Sequence, residues 1–159
     1  MKTLKSTKGE IYVTVCILVL IVVTVFSVIF TYASVITNVK VQKSNTQIVF
    51  DSFVANNSII IFNNIKQGKN VTDGIDTAPF YASLKRFCTL DEHDGKLYSM
   101  DTDEAEKFSM TVPAIGFIEE EKLELYVSFT MYVPIRFAGQ TVTTAVVPVK
   151  ISSALTSKN

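Results

Sequence analysis

The sequence predicts an α+β protein: a long N-terminal transmembrane helix, an amphipathic helical stem, and a small, mostly antiparallel β-sheet with a short helix. Three observations carry this reading. Charge is absent for 27 residues, from 11 to 37. Neither Pro nor Gly interrupts the chain from there to Gly68. Beyond residue 88 the apolar period changes from the helical one to two.

The uncharged run exceeds the roughly 20 apolar residues that cross a bilayer core. As a helix at about 1.5 Å per residue it reaches roughly 40 Å, against about 30 Å of hydrocarbon, so it spans and then tilts or protrudes. Its many Val, Ile and Thr residues favour strand in water. In lipid each backbone group must be satisfied within the segment, and a helix results. Residues 1–10 carry Lys2, Lys5 and Lys8 against Glu10. Such a head stays cytoplasmic by the positive-inside rule, which places the rest of the chain outside the cell membrane as a single-pass protein. The domains expected are a basic head (1–10), the transmembrane helix (11–37), the stem (38–67) and an extracytoplasmic α+β domain (68–159).

In the stem, Phe50, Phe53, Val54, Ile61 and Ile65 fall near one side of a helix. Residues 68–77 read as a loop. Pro79 suits a first helical turn behind a cap at Asp76 or Thr77, and Phe80, Leu84 and Phe87 repeat at helical spacing. Asp94-Gly95 is a hairpin turn signal. Leu123, Leu125, Val127, Phe129, Met131 and Val133 alternate with polar residues and tyrosines, which marks a half-buried strand. Pro134 points to an edge or a bulge. Gly139 and Gln140 turn the chain, and residues 141–153 return as a second strand with Pro148 again at an edge or interruption.

Net charge is zero over the whole chain. Residues 38–159 hold 12 basic and 14 acidic groups, which argues against a nucleic-acid partner held by phosphate contacts. No nucleophile motif, phosphate loop or histidine-rich ligand set appears, so neither an enzyme nor a cofactor is expected. His93 lies near Cys88 on one hairpin arm, with nothing in the sequence to orient a thiol–imidazole pair. Cys88, exported and apart from Cys16 in the membrane, is expected to be buried. The acidic residues Asp91, Glu92, Asp94, Asp101, Asp103, Glu104 and Glu106 lack the spacing of a calcium loop and read as turns and a solvated face. Glu119, Glu120 and Glu121 read as a solvated connection.

Two readings fit Glu10. Thr7-Lys8-Gly9-Glu10 has the form of a capping box, in which hydroxyl and carboxylate satisfy the first amides of the helix. The same head, with Gly9 before a polar residue and a long apolar helix, has the layout of a prepilin-like leader cut after Gly9. Residues 31–33 before Ser34 loosely resemble a signal-peptidase site, in a run longer than secretion signals use. Within the run, Thr24, Ser27, Thr31, Ser34 and Asn38 are spaced 3, 4, 3 and 4 and form one stripe. Such a stripe lets membrane helices pack closely; alternatively each hydroxyl bonds to its own helix one turn back.

With Lys8-Gly9-Glu10 at the head, a membrane helix running into a stem, and the strand–Pro–Gly–strand ending from Tyr126 to Ser153, the chain resembles the TadE-like pseudopilins. It is similar also to small membrane proteins of low-GC Gram-positive bacteria. Thr14 stands where pilins carry a glutamate, five residues after the cut. The resemblance implies a minor subunit of a pilus or a secretion or conjugation apparatus. Its partners would be other pilin-like subunits or further copies of itself, with a secretion ATPase and an inner-membrane platform. The competing reading is a membrane-anchored extracytoplasmic binding domain that forms no filament.

Overall fold

A computed structural model describes residues 7–101, 105–119, 123–137 and 140–154. Helix α1 is unbroken from Thr7 to Lys66, 60 residues or about 90 Å. Its last orphan carbonyls are met by a tightening turn, where Gln67 N–H donates to Asn63 O and Gly68, at φ 63°, leaves the helix. The chain then loops to a short helix, α2 (Ala78–Cys88). The Asp76 carboxylate accepts the Ala78 N–H at 2.9 Å, so the acid before the N-cap Thr77 does the capping. Thr89 ends α2 in the left-handed region, and Leu90 N–H donates to Lys85 O.

Six strands follow: β1 (Asp91–His93), β2 (Lys96–Met100), β3 (Glu106–Thr111), β4 (Ala114–Glu119), β5 (Leu123–Phe137) and β6 (Gln140–Ala154). All pair antiparallel. The β1–β2 turn has Asp94 at φ 51° and Gly95 at φ 70°, the mirror-image turn that Asp-Gly favours. Strand β5 is the spine. β4 pairs with its first half and β3 with Tyr132 and Met131, end to end along one side, while β6 runs the whole of the other side. Pro148 therefore lies on an edge strand, and Pro134 sits one residue before the bulge at Ile135/Arg136.

The core lies between the inner face of β5–β6 and the second half of α1. Leu125, Val127 and Met131 are fully buried, with Val149 and Ile151 from β6 beside them. Phe50, Phe53 and Phe80 meet at ring-centroid distances of 5.5 to 6.4 Å and lock α2 onto α1. Such aromatic contacts contribute about 0.5–1.5 kcal/mol beyond the area they bury.

Two details differ from the pattern read in the sequence. Ile65 is exposed, and Asn64 takes the buried position, its amide donating to Val71 O and Asp73 O and so tying the loop to the helix. Phe87 is exposed as well; α2 turns Phe80, Leu84, Tyr81 and Cys88 inward, a line about 100° wide that leaves Phe87 at its margin. The buried face of α1 also carries Gln42 and Thr46, and the Thr46 hydroxyl has no partner among the described residues.

Strand β4 places Gly116 opposite Tyr126, whose ring lies where a Cβ would stand, with the Lys150 ammonium 4.3 Å from that ring's centre. Gly116→Val is expected to cost about 1–3 kcal/mol by overpacking, read as a lower melting temperature. Thr46→Val removes a buried, unpaired hydroxyl at constant shape. It should raise stability by on the order of 1 kcal/mol in a denaturant titration.

Candidate functional site: the bare half of the long helix

From Ile11 to Phe26 every residue of α1 is exposed. The helix is long and apolar enough to cross a membrane, and none of its most apolar window is buried. Tyr12 and Tyr32 stand 72% and 67% exposed near the ends of this bare stretch. Twenty residues of helix set them about 30 Å apart, the thickness of a bilayer's hydrocarbon, and tyrosine concentrates at the two interfaces.

The small-polar stripe lies on the side of α1 that faces the far end of the β5–β6 hairpin. Thr24, Ser27 and Thr31 line a groove with Ile135, Phe137 and Ala145, and its volume is about 860 Å³. Thr31, Ser34 and Asn38 line a second groove with Pro134, on the other side of Arg136. Ser27, Thr31 and Asn38 are half-buried there, while Thr24 and Ser34 are exposed. Thr24 Oγ1 donates to Leu20 O and Thr31 Oγ1 to Ser27 O, both at 2.8 Å. Those two hydroxyls are bonded one turn back along their own helix.

The grooves exist because two elements part. Along residues 42–61 the helix touches the sheet; toward the bare half, β5 and β6 continue past the core. The bulge at Ile135/Arg136 shifts their register. Phe137 and Val142, 54% and 68% exposed, end the hairpin. Arg136 is held by a 2.7 Å hydrogen bond from Nη2 to Glu106 O.

The backbone of Thr7, Gly9 and Glu10 is helical, but their side chains, on which the capping box and the processing reading rest, are outside the described residues, as is the turn at Gly139. Asp103, Glu104, Glu120 and Glu121 are outside them too. Of the other acidic residues, Asp91, Glu92, Asp94 and Asp101 are exposed, and Glu92 pairs with Lys85 at 2.9 Å. No three His, Cys, Asp or Glu side chains converge on a metal-sized site among the described residues. Glu119 ends β4.

Cys88 and His93 are placed apart in environment. Cys88 is half-buried against the core, while His93 is on the exposed strand β1 with its ring 6.5 Å from that of Tyr98. Burial pushes the Cys88 thiol above its ordinary pKa, partly offset by a hydrogen bond with Gln42. A raised pKa is the opposite of what a nucleophilic thiol needs.

Together these features define a class: an α+β domain carried on a helix able to cross a membrane, whose distinctive surface is a bare apolar rod with a groove at its upper end. Comparison with protein-family models finds no match, and neither does comparison with curated proteins or with solved structures.

Because the folded thiol pKa lies above the unfolded one, the neutral thiol is favoured by folding. That contribution is complete below the unfolded pKa and is lost as pH rises through the folded pKa. Alkylation of Cys88 by iodoacetamide should therefore be slow in the folded protein at neutral pH and speed up on unfolding. Stability should fall less steeply with alkaline pH in Cys88→Ala than in the wild type.

Proposed function

We propose that this protein is a pilin-like, single-pass membrane subunit. Its N-terminal head is cytoplasmic and its α+β domain is extracytoplasmic. Its role is that of a minor component of a cell-surface pilus or of a secretion or conjugation apparatus. The observation that carries the reading is the unbroken helix α1. Its second half is the spine under an antiparallel sheet, and residues 11–26 are an uncharged rod exposed on every side. A rod of that kind needs lipid around it while it is stored and helices of other subunits around it when it is assembled. Lysines at the head set the direction of insertion. Edge strand β6, 15 residues long, offers backbone groups to a neighbour's strand. A secretion ATPase and a membrane platform would supply the work of assembly, since no catalytic constellation is part of this reading.

A specific observation favours the second reading, an anchored binding domain that forms no filament. The hydroxyls of Thr24 and Thr31 are bonded within their own helix, and the stripe they belong to faces this chain's own hairpin. Helix packing between copies would then use other sides of the rod.

Two measurements on the full chain in its native membrane separate the readings. A mature N-terminus at Glu10, read as the mass of the terminal peptide, is expected for a pilin-like subunit. Exposed Cys16 should then give a copper-phenanthroline cross-linked dimer that persists in Cys88→Ser and disappears in Cys16→Ser. An uncut head with no cross-link leaves the anchored domain, and a start at Ser34 overturns both.

A further inference from the structure

The groove between α1 and the hairpin end has a level, a length and a polarity. Taking Tyr32 as the outer boundary of the hydrocarbon, the groove begins eight residues inside it, at Thr24, and ends eight residues beyond it, at Lys40. It is therefore about 24 Å long, with about 12 Å below the boundary. One leaflet of hydrocarbon is about 15 Å deep. The inner part thus runs alongside the acyl chains of the outer leaflet, and its helix side there is Val28 with Thr24, Ser27 and Thr31.

Among the described residues, the charges that line this groove are positive, Lys40 and Arg136. Headgroups occupy about 5–7 Å beyond the hydrocarbon on each side. The Cα–Cβ bonds of a helix tilt toward its N-terminus, which here is toward the membrane, and a lysine stem reaches further in the same direction. Lys40 thus reaches down to the headgroup level and has no acidic partner among the described residues. Arg136 also borders the second groove, where Asp101, Glu106 and Lys107 stand with Ser34 and Asn38, the last two lying three and nine ångströms or so above Tyr32 by the helical rise. Its bond to Glu106 O uses one of its five donors.

We propose that the groove is a site for one phospholipid of the outer leaflet. One acyl chain lies between residues 24–39 of α1 and the apolar end of the hairpin, and the phosphate sits at Lys40 and Arg136. Phe137 and Val142 then rest in the interfacial layer, which accounts for the exposure of these large apolar side chains at the hairpin end. The volume, about 860 Å³, is within the range of about 300–1,000 Å³ for small-molecule sites. Position favours lipid over a second copy of the chain: the opening is in the plane where lipid is the solvent, and the charges at the mouth match a phosphate. This inference rests on the membrane-anchor part of the proposed function and is independent of filament assembly.

The test uses the full chain in vesicles of phosphatidylcholine and phosphatidylglycerol, each in turn carrying a diazirine on the acyl chain. After irradiation, adducts are mapped by peptide mass. Adducts are expected on hairpin residues 135–147 as well as on the helix. Ala145→Trp, which fills the groove, should remove most hairpin adducts while those at Leu18 and Phe26 persist. In Lys40→Gln, a charge change on the surface, hairpin adducts should remain while the preference for phosphatidylglycerol falls by about fivefold. Adducts spread evenly around the helix with none on the hairpin mean annular lipid only and overturn the site. So does a cross-link from the hairpin to a second copy, or an Ala145→Trp protein of unchanged stability with unchanged adducts. A protein that fails to float with the vesicles overturns the anchor reading itself, and that failure is distinct from floating without hairpin adducts.

Discussion

The structure depends on one packing constraint. The inner face of the β5–β6 hairpin is apolar from Leu125 to Val133 and from Ala145 to Ile151 and must be covered. The second half of α1, with α2 clasped to it through Phe50, Phe53 and Phe80, provides that cover. The buried positions on α1 are set by its contacts with the sheet, with α2 and with the loop after the helix. The line passes through Gln42, Thr46, Val49, Phe50, Phe53, Val54, Ile61 and Asn64, spaced by one to seven residues on one side of the helix. The polar members of the line have separate reasons. Gln42 reaches Met110 Sδ and the Cys88 thiol, Asn64 holds the loop that follows, and Thr46 has no bonding reason visible in its surroundings.

Because α1 is one helix, covering the sheet at one end fixes what is bare at the other. The same 60 residues answer to two environments. Toward the sheet the helix has one buried side, and its solvent side mixes Asn and charged residues with exposed Val41, Ile48, Ile59 and Ile60. Toward the N-terminus it is uncharged all round and apolar apart from its Ser and Thr residues, which a helix tolerates only where something apolar surrounds it. The change falls near residues 37–42, where charge returns to the sequence and burial against β5 and β6 begins.

That division was legible from the chain alone, since charge and period are local properties. So were the Asp94-Gly95 turn and the alternation of β5. Strands β3 and β4 were not. In β3, Phe108, Ser109 and Met110 are buried in succession, so no alternation marks it. In β4, Gly116 reads as a breaker, and its use appears only once Tyr126 is seen covering it from the next strand. The exposure of Ile65 and Phe87 depends on how α1 and α2 are rotated against the sheet, which spacing within one helix leaves open by tens of degrees. The stripe from Thr24 to Asn38 was legible as a line, but not what it faces. Its neighbour is a hairpin end roughly a hundred residues later in the chain.

The absence of Gly and Pro between residues 10 and 67 has a mechanical consequence. Sharp kinks need Pro, Gly or a bulge, and long helices otherwise curve gently. No hinge of that kind separates the bare rod from the domain. In the proposed placement, the domain's height above the membrane and its rotation about the rod are set by how the rod sits in the bilayer. In the proposed placement the hairpin end, which reaches back beside the rod, makes a second point of approach to the same surface. With two points fixed, β6 presents its free edge in a defined direction. An edge strand presented in a fixed direction is available to a neighbour on the same membrane and unavailable to one approaching at random. In that way a rigid stem turns the ordinary liability of a long edge into a directional surface.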